Sequence, residues 1–124
     1  MIEKIIDGIK YRLDEETLTA KVVQDITYAF VNLDIPKTVL FEKVSYHVTS
    51  IGDNAFSRCS SLTSIVIPDG VRSIGKGAFR GCKSLTDITF QGTIAQWKEI
   101  ALDKDWKDNI PAKVVHCTDG DVEI

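Results

Sequence analysis

The sequence predicts a β-rich solenoid: a small stack of similar chain units, with a short α-helix at one end. Three observations lead there. A 23-residue unit occurs twice without a gap. Its shared positions are mostly apolar or glycine. The flanking segments alternate apolar and polar residues, as half-buried strands do.

The first unit runs from Val48 to Gly70 and the second from Val71 to Thr93, and 11 of their 23 aligned positions are identical. Val48/Val71, Ile51/Ile74, Ala55/Ala78, Phe56/Phe79, Cys59/Cys82, Leu62/Leu85 and Ile65/Ile88 are of types that face inward in a stacked repeat, so they should form core ladders. In Leu62–Ile67 and Leu85–Phe90, period-2 geometry places Ile65 with Ile67, and Ile88 with Phe90, on one face. Ser64 and Val66, then Asp87 and Thr89, point the other way. One buried side chain of this kind contributes about 1.5–3 kcal/mol, so several ladders together offset chain entropy that a single unit cannot.

Gly52 and Gly75 stand where the chain should turn, and positive φ is the expected reason. A phosphate loop is the competing reading, but neither GxxxxGK[ST] nor GxGxxG is present. The Ala-Phe-x-x-Cys stretch suits one helical or 3₁₀ turn with one face on the core.

The ends read as caps. Gly8–Leu13 and Thr17–Val23 alternate around Asp14, Glu15 and Glu16, which predicts an N-terminal β-hairpin. Leu40–Val48 predicts a second hairpin, its turn near Glu42, Lys43 and Val44 lacking a glycine. Asp25–Leu33 shows no regular pattern. Ile94–Leu102 places Ile94, Trp97 and Ala101 on one helical face, with Thr93 as N-cap. Pro111 then ends regular structure, and Lys113–Cys117 predicts a last strand. Trp97 and Trp106 should seal the core; an exposed pair would instead suit a carbohydrate platform. Residues 1–124 thus read as one domain: an N-terminal hairpin cap and partial repeat over 1–47, two full repeats over 48–93, and a helix-plus-strand cap over 94–124.

Composition narrows the function classes. The 124 residues are 44% hydrophobic and 27% charged, values of a folded domain. A net charge of -3 and a pI near 5.3 supply no basic field for nucleic acid or anionic lipid. No stretch has the length of a membrane span, and the acidic residues at Glu3 and Asp7 do not fit a signal peptide. Cys59, Cys82 and Cys117 are odd in number and lack CxxC spacing, so buried, reduced thiols are expected and neither a disulfide framework nor a zinc site.

Catalytic and metal candidates are sparse. His47 and His116 lack HExxH or HxH partners. Cys59 and Cys82 occupy a repeated inward position, which argues for packing over nucleophilic chemistry. Asp103, Asp105, Asp108, Asp119 and Asp121 form an acidic C-terminal group, but their spacing is not that of an EF-hand, so solvated loops are expected. No cofactor and no metal are assigned, and an enzyme is not expected.

The run Ile-Gly-x-x-Ala-Phe-x-x-Cys-x-Ser-Leu-Thr-x-Ile resembles the BspA-type leucine-rich repeat, whose unit is also 23 residues. The resemblance covers Val48–Thr93 in full, extends to Asp34–Val39 as the end of a preceding repeat, and includes Gly92–Trp97, Asp105–Trp106 and Val115–Asp121 as a terminal segment. It implies a short leucine-rich-repeat stack and an adhesion-type role at a cell surface, or after secretion, toward a protein or glycan partner. Ser64, Val66, Asp87, Thr89 and Gln91 are the strand-face positions that would meet that partner. Two features depart from the larger relatives: only two full repeats are present, and no export signal is visible. Two repeats offer less than the roughly 800 Å² per partner of a standard interface, which keeps a second reading open, a repeat unit that self-assembles into a homo-oligomer without a dedicated ligand.

Overall fold

The computed structural model describes residues 1–124 as two sheets enclosing one core. The strands are β1 (Ile2–Ile6), β2 (Ile9–Asp14), β3 (Thr19–Val22), β4 (Asn32–Asp34), β5 (Thr38–Phe41), β6 (Val44–Ile51), β7 (Ser64–Ile67), β8 (Ser73–Ile74) and β9 (Asp87–Phe90). Helix α1 (Ile94–Lys98), β10 (Ala101–Leu102), β11 (Val114–Cys117) and β12 (Gly120–Glu123) follow. One sheet runs β1-β2-β3-β6-β8-β10 with β5 paired to β6, and the other runs β12-β11-β9-β7-β4.

The repeat period sets the register. Ile51 pairs with Ile74, and Ile65 with Ile88, in parallel. The same ladders continue beyond the repeated sequence on both sides. Val22 joins Ile51, and Leu102 joins Ile74. Leu33 joins Ile65, and Val115 joins Ile88. Four rungs therefore stack where the sequence displays two full repeats and a partial one. An aromatic column runs through them: Tyr28, Phe56, Phe79 and Trp106, with successive ring centroids 5.3, 5.6 and 6.2 Å apart. The irregular Asp25–Leu33 segment is the shortened first rung. Its Tyr28 hydroxyl donates to the Val23 carbonyl at 2.7 Å and accepts from the Lys10 N–H at 2.9 Å, which ties the segment to the N-terminal strands.

Both predicted hairpins form: β2 and β3 pair antiparallel, as do β5 and β6. The turn between β5 and β6 uses Glu42 and Lys43, both at positive φ (49° and 67°). That is the two-residue loop whose twist matches paired strands, here built without glycine. Strand β1, unpredicted, adds to β2 and makes the N-terminal unit three-stranded.

Several expectations are corrected. Gly52 and Gly75 are not among the positive-φ glycines, which are Gly8, Gly77, Gly81 and Gly120. Close approach is what requires them: a Cβ on Gly75 would lie 2.6 Å from the Asp53 nitrogen, and one on Gly52 would lie 2.9 Å from the Val22 carbonyl oxygen. The Ala-Phe-x-x-Cys stretch is a chain of tight turns and not a helical turn. Ala55 N–H donates to Gly52 O, Ser57 N–H to Asn54 O and Cys59 N–H to Phe56 O. Left-handed Asn54 and Arg58, matched by Gly77 and Gly81 one repeat later, break any helix. The C-terminal helix ends at Lys98, so Ala101 lies in strand β10 and is exposed. Thr93 does cap it, accepting from the Gln96 N–H while the Gln96 side chain accepts from the Thr93 N–H. Strand β11 is not the last, because β12 pairs antiparallel along its outer edge. Of the thiols only Cys82 is buried; Cys59 and Cys117 are half-buried.

Candidate interaction surface

Strand alternation decides which side chains leave the core. Along β7 and β9, Ile65, Ile67, Ile88 and Phe90 are buried, while Ser64, Val66, Asp87 and Thr89 turn outward. Asp87 is exposed, whereas Ser64, Val66 and Thr89 are half-exposed. Gln91 lies just past β9 and is exposed; its N–H donates to Ile67 O at 2.9 Å. The five residues therefore share one face of the five-stranded sheet.

The register extends that face to residues outside the repeats. One row across the sheet is Asn32, Ser64, Asp87, and the next is Asp34, Val66, Thr89, His116, Asp121. Asn32, Asp34, His116 and Asp121 lie outside the two full repeats, so the repeat alignment does not place them on this face. The Asp34–Val39 match to a repeat end is the one signal that could have placed Asp34 on this face. Neighbouring strands stand about 4.8 Å apart, so each row is a regular ladder of side chains.

The ladder is polar and acidic. Ser64 Oγ donates to Asn32 Oδ1 at 2.6 Å, and Thr63 Oγ1 donates to Val31 O at 3.0 Å, which fixes the start of each strand against its neighbour. Asp34, Asp87 and Asp121 bring carboxylates to the two rows, and neither row contains Lys or Arg. His116 Nδ1 lies 2.8 Å from Asp121 Oδ1.

The remaining candidate groups are engaged elsewhere. Asp105 Oδ2 accepts from Arg80 at 3.3 Å, and Asp108 lies 4.0 Å from the same guanidinium. Asp119 accepts from the Ile94 N–H at 2.8 Å, at the start of the helix. Asp103 accepts from the Lys104 N–H. Burial raises the pKa of all three thiols, pushing Cys82 up to about 12, and the Cys82 Sγ donates to Phe56 O at 3.0 Å. A protonated thiol is a poor nucleophile. His47 is exposed on β6. Trp97 and Trp106 are buried with ring centroids 5.7 Å apart, so they pack the core and offer no open platform.

Parallel strands that recur along the chain, with apolar side chains stacked in register between them, are the architecture of a leucine-rich repeat protein. The chain belongs to the BspA type leucine rich repeat region (6 copies) family, whose model matches residues 24–107. It is similar in structure to a leucine rich cell surface protein from Faecalibacterium prausnitzii A2-165, with 27% identity and a TM-score of 0.65 over 93% of this chain. The chain spans 32% of that protein's length. A leucine-rich repeat protein from Bacteroides capillosus ATCC 29799 shares the fold at 22% identity and a TM-score of 0.67, with 93% of this chain and 97% of that one covered. A leucine-rich repeat protein from Bacteroides ovatus ATCC 8483 also shares it, at 22% identity and a TM-score of 0.61 over 92% of this chain and 37% of that one. Among curated proteins, none matches the chain. Proteins of this family generally mediate protein interactions and are typically non-enzymatic. No helix is long and apolar enough to cross a membrane.

Proposed function

We propose that the chain is a short solenoid, one domain over 1–124 with its ends capped by the N-terminal hairpins and by the α1 to β12 segment, and that it binds a protein partner in an adhesion setting. The contact face is the outward side of the five-stranded sheet, through Ser64, Val66, Asp87, Thr89 and Gln91. The observation that carries this reading is the registered polar ladder, whose side chains are exposed or half-exposed. The F. prausnitzii neighbour's description as a cell surface protein supports the setting.

The test labels the purified chain and measures its binding to bacterial and epithelial cell surfaces, beside an Asp87→Arg/Thr89→Arg double variant and a Glu16→Arg control on the distant hairpin tip. Saturable binding lost in the double variant and kept in the control is the expected result. Binding that all three share, or none at all, overturns it.

A second reading, self-association, draws on apolar side chains left bare at the N-terminal end. Ile26 is 96% exposed, Leu40 67% and Ile5 60%. Sedimentation velocity over a range of concentrations separates the two: a monomer throughout removes self-assembly, and a concentration-dependent oligomer abolished by Ile26→Ser supports it.

A further inference from the structure

The opposite sheet carries a second registered row, and it has a different chemistry. Pairing brings Glu3, Arg12, Lys21, Ser50, Ser73 and Ala101 side by side across six strands. Side-chain length falls abruptly along it. Arg12 and Lys21 are long, while Ser50, Ser73 and Ala101 are short, and the next positions along the chain include bare Gly52 and Gly75. A groove of about 710 Å³ opens above the short residues, walled by the cationic side chains. Its size is within the range of small-ligand sites.

Part of the groove's floor is backbone alone, at Gly52 and Gly75, where the neighbouring rung lies too close for a Cβ. Ser50 and Ser73 are identical between the two repeats, half-exposed, and their hydroxyls make no hydrogen bond within the chain. They are not inward positions, so packing does not account for their recurrence. Arg12 and Lys10 are held by Glu3, at 2.9 and 3.6 Å, whereas Lys21 makes no ion pair. At the far side stand Asp53 and Asp103, each using Oδ1 to accept a backbone N–H and leaving Oδ2 free.

We infer that this groove binds an acidic saccharide of the uronic-acid kind. Lys21, backed by Arg12, meets the sugar carboxylate. Ser50 and Ser73 exchange hydrogen bonds with ring hydroxyls, and the free oxygens of Asp53 and Asp103 accept from further hydroxyls. Those two carboxylates disfavour an acidic peptide, which brings negative charge without hydroxyl donors. The polar lining likewise offers no pocket for an apolar ligand.

Trigalacturonic acid is the probe, titrated into the ¹⁵N-labelled full chain and followed by amide chemical shifts, with maltotriose and a Glu-Glu-Glu tripeptide in parallel. Saturable shifts at Lys21, Ser50 and Ser73 with trigalacturonic acid alone support the inference. Lys21→Met should weaken that binding roughly tenfold, the ordinary effect of losing a charge-assisted hydrogen bond. Ser73→Gln, which fills the floor, should abolish it, with amide spectra reporting that both variants stay folded. Equal binding of maltotriose makes the cationic wall irrelevant and overturns the assignment. So do binding of the tripeptide, shifts centred on another surface, or no shift at millimolar probe.

Discussion

Phe56 and Phe79 stack with ring centroids 5.6 Å apart and planes only 7° from parallel, at positions 23 residues apart in the chain. Each backbone follows its ring: the Phe56 N–H donates to Ala78 O at 2.7 Å, and the Phe79 N–H donates to Trp106 O at 2.8 Å. Core column and turn ladder are thus one structure, and neither phenylalanine has any exposed surface.

Truncating either ring should therefore be expensive. Phe79→Ala is expected to cost about 3–5 kcal/mol, the range for a buried aromatic whose cavity cannot collapse. Phe79 has stacked neighbours on both sides, in Phe56 and Trp106, so little can move into the space. Urea unfolding followed by tryptophan fluorescence measures it. A loss comparable to that of an exposed substitution such as Leu40→Ala would contradict the column's role.

A methyl group on the stack should act differently at different glycines. Gly75→Ala forces a Cβ against Asp53 and is expected to cost about 1–3 kcal/mol, as overpacking does. Gly70→Ala meets only the Val48 carbonyl oxygen at 3.4 Å and should be tolerated far better. Paired thermal melts test this ordering; equal melting points for the two variants would contradict it.

Alkaline pH should weaken the fold. Burial raises Tyr11 above its ordinary 10.0, and burial moves Cys82 from 9.0 to about 12. The folded chain holds these protons after the unfolded chain has released them, so the stability they contribute is complete below about pH 9 and is lost progressively above it. For Cys82 the window closes near 12. Tyr11→Phe removes one of these groups, and urea midpoints measured between about pH 8 and about pH 11 should fall less steeply in that variant than in the parent. Parallel slopes would show that Tyr11 ionises freely in the fold.

Much of the architecture was legible in the residues. Repetition placed Val48, Ile51, Ala55, Phe56, Leu62 and Ile65 in the core with their partners, because only inward positions need the same shape in successive rungs. The first rung was hidden because its spacing changes: Tyr28 and Leu33 are five residues apart where Phe56 and Ile65 are nine. Trp106 fills the place of a phenylalanine and so carries no signature of its column. Helix α1 was overestimated for a physical reason: Ala101 keeps the helical pattern, yet pairing with Ser73 offers its backbone a ladder that a continued helix would forfeit.

The candidate surfaces divide in the same way. Alternation along a single strand identified Ser64, Val66, Asp87 and Thr89 as outward positions, since that property is local to the strand. Placing Asn32, Asp34 and His116 in the same rows, or Lys21 beside Ser50, depends on which strands lie together. Thr49 is passed over where Ala20–Lys21 pairs with Val48 and Ser50, a one-residue irregularity that no pattern announces.

By itself, then, the sequence determined the repeat, its inward ladders, the hairpins and the capped start of the helix, all of which follow from side-chain type and short-range geometry. Only the tertiary structure decided that four rungs stack, that Gly52 and Gly75 serve close approach and not left-handed φ, and which side chains share a face. Those outcomes arise from pairing between strands, most of them distant in the chain, where backbone pairing and space in the core outweigh local preference.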